Sequence, residues 1–210
     1  MYFSSNLKPC IFFTEEVLLD LARAFFGAGS DTVRVTVDWM LLVSAAFPQV
    51  QKRIQAEIDE VIGSDRFPTW QDRLSMPFTE AAIIELMSTL HNSELNGYFI
   101  PKHMHVLGIL WAVDHDTKLW GNDVDEYKPE RMLSEDGKRV VKPEHAIPFS
   151  VGKRSCPGKS FAEVEVFLYL VAILQKFEIS APSGKEIDLE ADLGISLQPR
   201  RQDLCLKLRH

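Results

Sequence analysis

Residues 14–47 read as one unbroken helix, and a helix of that length must be surrounded by a largely helical domain to bury its apolar stripe. Thr14 is a suitable N-cap, and Glu15 and Glu16 place acidic charge in the first turn. Glu16, Asp20, Arg23, Arg34 and Asp38 fall on one face, with Leu21, Phe25, Ala28, Val35 and Trp39 opposite. Two glycines, Gly27 and Gly29, interrupt the middle. Each costs about 1 kcal/mol relative to alanine in a helix interior. Either two helices pack closely there or the backbone must pass near a flat ligand.

The same stretch contains Ala28-Gly29-Ser30-Asp31-Thr32. Thr32 shares the apolar face, so its hydroxyl needs a partner. The Ala28 carbonyl one turn back is one, and a bound ligand or water is another. Asp31 lies three residues before Arg34. A solvated Asp–Arg pair and a catalytic acid are equally good readings of it.

Beyond the long helix the elements are shorter. Pro48 starts a second helix through residue 62, polar at Gln51, Lys52, Gln55, Glu57 and Asp59, with Gly63 as its stop. A loop over residues 64–76 leads to a third helix over residues 77–87. Residues 94–100 look extended, with a tight-turn Asn96-Gly97, and a short apolar run follows over residues 105–113. Residues 114–148, rich in Asp, Lys, Pro and Gly, read as a meandering loop. A last helix spans residues 158–177 and is apolar on all sides beyond Glu165, so it should be buried. Residues 180–210 alternate like a small β element.

Just before that last helix comes Phe149-Ser150-Val151-Gly152-Lys153-Arg154-Ser155-Cys156-Pro157-Gly158. It places a thiol in a glycine-flanked loop at a helix N-terminus, where partial positive charge favours thiolate chemistry. Pro157 suits the first helical position. Gly152 and Gly158 permit sharp turns and close approach to a flat ligand. Phe149 is placed to wall the sulfur from water. A thiolate held in this way is a good axial ligand for haem iron. The plainer alternative is a structural cysteine at a helix start.

The loop closely resembles the haem-binding loop of the cytochrome P450 family, the haem-thiolate monooxygenases. Their pattern, Phe-x-x-Gly-x-Arg-x-Cys-x-Gly, is matched at Phe149, Gly152, Arg154, Cys156 and Gly158. The resemblance implies haem (heme b) as cofactor, Cys156 as the metal ligand and Arg154 as a propionate partner. It implies that Phe149, Gly152, Gly158, Ala28 and Gly29 border the cofactor. Ala28 to Thr32 resembles the family's oxygen-activating motif, which makes Asp31 and Thr32 the expected catalytic pair for proton delivery. The implied fold is mainly α with small β elements, a partial cytochrome P450 fold, with residues 1–210 forming the C-terminal portion of such a domain.

One signature departs from the family. Thr79 to Glu85 resembles the start of its Glu-x-x-Arg helix, and Trp120 to Met132 resembles the later loop that carries a second arginine, here Arg131. Ser88 stands where the first arginine belongs, and a connecting segment after the helix is missing by comparison. The expectation is a buried Glu85 lacking its partner, with Arg131 losing half of its clamp. Removing one member of a buried ion pair costs about 3–5 kcal/mol. The alternative is a Glu85 that faces solvent.

A net charge of −7 argues against nucleic acid as the main partner. Three well-separated cysteines, Cys10, Cys156 and Cys205, form no disulfide or zinc pattern, which suits a reducing compartment. His103 and His105 read as exposed rather than ligating. No stretch is long and apolar enough to span a bilayer, and the first residues make a poor signal peptide. The loop looks microsomal. The resemblance therefore implies the cytosolic face of the endoplasmic reticulum membrane, with a cytoplasmic location left open by the lack of an anchor. It also implies an NADPH-dependent flavoprotein reductase, dioxygen and an apolar small-molecule substrate as partners. Two rivals stand beside the monooxygenase: a haem-binding sensor using Cys156-Pro157, and an inactive truncated fragment.

Overall fold

The computed structural model describes residues 14–88, 110–152, 155–193 and 196–209. The expected hairpin at Asn96-Gly97, His103, His105, Cys10 and Arg154 lie outside them. Helix α1 spans Glu15–Ala46, capped by Thr14, whose side chain accepts from the Val17 N–H at 3.2 Å. Helix α2, Pro48–Val61, follows after a single residue, with proline in its first turn. Gly63 ends it at φ +71°, a conformation that glycine adopts without strain. The 64–76 stretch is not all loop, since Trp70–Ser75 forms a 3-10 turn. Arg66 clamps this turn by donating to both oxygens of Asp72 at 2.8 Å.

Helix α3, Pro77–Ser88, begins on the side chain of Glu57 from α2. Its carboxylate accepts from the N–H groups of Phe78 and Thr79 at 2.9 and 2.8 Å, satisfying donors that a helix start leaves open. Leu110–Asp114 is helical (α4), so the end of the apolar run before residue 114 is not extended. The meandering region also contains α5, Thr117–Trp120, and a 3-10 turn at Pro129–Met132. Helix α6, Lys159–Lys176, runs through the core. It leads directly into β1, Phe177–Ser180, which pairs antiparallel with β4, Cys205–Leu208. Strands β2, Ala191–Asp192, and β3, Gln198–Pro199, form a second small antiparallel pair.

The core gathers the C-terminal half of α1 (Val35, Trp39, Leu42, Val43), the apolar side of α2 (Ile54, Ile58), Phe78 and Ala82 of α3, and Val166, Phe167, Leu170 and Leu174 of α6. Helix α6 is buried there as expected, although Tyr169 and Phe161 are exposed. The apolar face expected along the whole of α1 is buried only from Val33 onward; Leu21, Phe25, Ala28 and Thr32 are exposed. Nothing among the described residues packs on that first half.

The polar side expected of α2 needs a correction. Gln51 and Gln55 are buried, because their amides serve the backbone where α6 passes into β1. Gln51 binds the Ile179 N–H and C=O, and Gln55 donates to the Phe177 carbonyl at 3.0 Å. A glutamine can match one backbone donor and one acceptor at once, which a hydropathy pattern cannot register.

Candidate functional site

Cys156 sits at the end of a tight loop feeding α6. Its N–H donates to the Phe149 carbonyl at 2.9 Å, closing residues 149–156 into a small ring. Within the loop Ser150 holds φ at +60° and Gly152 at +74°. The left-handed serine is a strained position of the kind that accumulates at functional sites. Pro157 is not the first helical residue. Gly158 is the N-cap and Lys159 begins α6, and residues 157–158 form a turn between Cys156 and the helix. A Cβ added to Gly158 would lie 3.8 Å from the Cys156 sulfur, an ordinary contact distance. Cys156 is exposed, and Phe149 is only half-buried, so the phenylalanine does not wall the thiol from water.

The second motif lies on α1. Thr32 donates its hydroxyl to the Ala28 carbonyl at 2.7 Å, the local partner that its position demanded. Thr36 repeats the same bond to the Thr32 carbonyl at 2.9 Å. Asp31 forms the i,i+3 pair with Arg34 at 2.9 Å, and Arg34 also reaches Asp38 at 2.7 Å. These two carboxylates raise the already high pKa of the Arg34 guanidinium, the Asp31 hydrogen bond contributing most. The other Asp31 oxygen accepts from the Ser196 hydroxyl at 3.3 Å. Trp39 Nε1 donates to the Leu197 carbonyl at 2.9 Å, a second tie between α1 and the stretch before β3. Ser196 and Leu197 carry no chemical signature in the sequence; only the return of the chain against α1 makes them relevant.

Gly27 and Gly29 settle one alternative within the described structure. A Cβ at either would meet nothing within 4 Å, so close helix packing does not account for them. The space over both glycines is open among the described residues, and Phe25, Val151 and Phe161 are each exposed on their own elements. The Cys156 thiol is free and exposed in its constrained loop, where a thiolate could serve as a single metal donor. Among the described residues no set of three or more His, Cys, Asp or Glu side chains is placed to hold a metal ion.

Glu85 decides between the two readings of it. The residue is 2% exposed, so it does not face solvent. Its Oε1 accepts from Arg131 Nε at 2.6 Å, while Oε2 is buried with no hydrogen-bond partner among the described residues, so the expected shortfall falls on half of the carboxylate. Arg131 keeps this one hydrogen bond to Glu85, and its remaining nitrogens donate to the carbonyls of Trp120, Asp123 and Glu126. The 129–132 turn carries the arginine into the place beside Glu85. Ser88 is the last residue of α3.

Two comparisons bear on the whole arrangement. The family model for Cytochrome P450 matches residues 8–206. The chain belongs to the cytochrome P450 family. It is 38% identical to cytochrome P450 1A1 of Felis catus over 90% of its own length, and 38% identical to cytochrome P450 1A2 of Homo sapiens over 94%. Cytochrome P450 1A5 of Gallus gallus is 39% identical over 89% of the chain. The aligned regions make up 39%, 40% and 38% of those relatives, so the chain spans about two fifths of their length. The mainly α fold with small antiparallel strands agrees with a partial fold of this family.

Proposed function

We propose that the chain carries the thiolate-ligand and oxygen-activation elements of a haem-thiolate monooxygenase acting on an apolar organic substrate. The observation that carries this reading is Cys156, exposed in a ring closed by its own N–H on Phe149 and leading directly into buried α6. Cys156 would hold the iron of the haem, with Gly152 and Gly158 keeping the approach free of side chains and Phe149 bordering the sulfur. Arg154 would serve a propionate. Ala28 and Gly29 would leave room on the α1 side. When bound, the haem supplies activation of dioxygen and insertion of one of its atoms into the substrate.

The chain's own contribution is proton handling. Thr32 holds a hydroxyl proton on the exposed side of α1, shared at present with the Ala28 carbonyl. Asp31, fixed between Arg34 and Ser196, holds a carboxylate one residue away. Residues 1–210 are read as the C-terminal portion of the catalytic domain. The electron source would be an NADPH-dependent flavoprotein reductase, and the place of work the cytosolic face of the endoplasmic reticulum membrane. No helix among the described residues is long and apolar enough to cross a membrane.

The test is the absorption spectrum of the chain mixed with haem, reduced and treated with carbon monoxide. A strongly red-shifted Soret band is expected, lost in Cys156→Ala and kept in Cys10→Ala and Cys205→Ala. A band unchanged in Cys156→Ala overturns the assignment. A second reading, haem binding without turnover, draws on the uncovered first half of α1. Stoichiometric haem with no product in the presence of reductase and NADPH would select it.

A further inference from the structure

Glu85 is buried where α3 meets the 129–132 turn, and only half of its carboxylate is served. Oε1 accepts from Arg131 Nε at 2.6 Å and from the Lys128 N–H at 3.2 Å. Oε2 is buried and has no hydrogen-bond partner among the described residues. Arg131 does not offer its two-pronged fork to the carboxylate. Its Nη2 donates to the Asp123 and Glu126 carbonyls at 2.8 and 2.9 Å, and its Nη1 to the Trp120 carbonyl at 3.3 Å. The contact is therefore single, whereas the bidentate form is the strong one.

The other polar groups nearby give Glu85 little help. The Asp123 carboxylate lies 3.5 Å from Arg131 Nη1 and competes for the same cation. The Lys128 ammonium is turned to Asp123 at 2.6 Å. Glu130 is held by Arg53 of α2 at 2.6 Å, and the Tyr127 hydroxyl donates to the Ala82 carbonyl at 2.8 Å. Glu57 of α2 is committed to the start of α3, and Glu80 of α3 to Arg73 at 2.9 Å. A charge on Glu85 thus has one guanidinium contact and one oxygen stripped of water. Burial outweighs that single pairing and pushes the carboxyl up to about 7.

The position connects to the cysteine loop. Ala81 of α3, Met132 of the turn and Ala146 form a small buried cluster of their own, and Ala146 is three residues before Phe149. We infer that Glu85 is a proton-controlled clamp between α3 and the segment leading to the Cys156 loop. Neutral, its Oε1 accepts from Arg131 and Lys128 at little electrostatic cost. Ionised, it places an underserved charge in the interface and loosens it. The folded carboxyl value lies above the ordinary 4.5, so the clamp is firmest in acid. It weakens as pH rises through the interval from 4.5 to about 7 and is level above that.

The test combines a carbon-13 titration of the glutamate carboxyls of the full chain with denaturation of wild type and Glu85→Gln between about pH 5.5 and about pH 8. One carboxyl is expected to titrate near neutrality and to be missing in the variant. The wild-type unfolding constant should rise on the order of tenfold or more across that range relative to the variant. Burial also raises the pKa of Glu80, but its contribution is common to both proteins and cancels. Parallel pH dependences, or glutamate signals that all titrate below about pH 5.5, overturn the clamp. Should Glu85→Gln fail to fold, the wild-type titration decides alone.

Discussion

The Gln51 side chain makes a strand-like pair with Ile179: its Nε2 donates to the Ile179 carbonyl at 2.8 Å, and its Oε1 accepts from the Ile179 N–H at 2.7 Å. The same Nε2 reaches the Ser44 carbonyl at 2.9 Å, so one amide ties α1, α2 and β1 together in the core. Gln51→Leu keeps the volume and removes every one of these bonds. The backbone groups left behind are buried, and each unmatched one costs about 1–3 kcal/mol. The variant should lose about 2–4 kcal/mol of stability, read by urea denaturation. A loss under about 0.5 kcal/mol, the range of an ordinary surface change, would mean that water replaces the amide.

Much of this architecture could be read from residue order. The Thr14 cap, Pro48 and Gly63 set helix boundaries that the structure reproduces within a residue, because caps and breakers act locally. What could not be read depends on partners distant in sequence. Gln51 looks like a surface residue until β1 returns beneath it. The single contact between Glu85 and Arg131, 46 residues on, depends on how the 129–132 turn spends the other arginine nitrogens on backbone carbonyls. The candidate site divides in the same way. The tight turn ahead of Cys156 is legible because its glycines and proline lie in one short segment. The hold of Ser196 on Asp31 joins residues 165 apart and leaves no trace in either neighbourhood.

Asp72 offers a check on acid stability. Arg66 donates to both of its oxygens, and the Thr69 N–H and hydroxyl donate to one of them at 2.7 and 3.0 Å. The Arg66 hydrogen bonds, followed by those of Thr69, hold its carboxyl down at about 2. A lowered folded value means that the contribution is present at neutral pH and is lost as pH falls from the ordinary 3.8 toward about 2. Asp72→Asn should cost about 1 kcal/mol at neutral pH, a figure already reduced for solvent screening of the half-exposed Arg66. The difference between variant and wild type should vanish near the bottom of that interval. A constant difference at all pH values would assign the loss to geometry rather than to charge.

Thr32 separates a catalytic hydroxyl from a structural one. Its bond to the Ala28 carbonyl adds little to a helix already closed by backbone bonds, and such back-bonding is mildly unfavourable. Thr32→Ala should therefore change stability by less than about 0.5 kcal/mol. In a haem-loaded and reducible form it should nevertheless release more peroxide per electron consumed, because a proton source is gone. Equal peroxide yields in the two proteins would leave Thr32 with its bond to the Ala28 carbonyl alone.

The first half of α1 makes the strongest prediction about behaviour in solution. Leu18, Leu21 and Phe25 lie at helical spacing on one stripe and are 62%, 42% and 55% exposed, with Phe26 beside them at 78%. The cost of leaving such side chains in water is about 1.5–3 kcal/mol each relative to full burial. A contiguous apolar stripe of this kind drives association. The chain should therefore self-associate as its concentration rises, with sedimentation velocity showing species heavier than the 23.9 kDa monomer. The double variant Leu21→Gln, Phe25→Gln removes the centre of the stripe at exposed positions that support no core contact. It should fold as the wild type does and shift the distribution toward monomer. An unchanged distribution would place the associating surface elsewhere, with exposed Val151 and Phe161 beside the cysteine loop as the next side chains to replace.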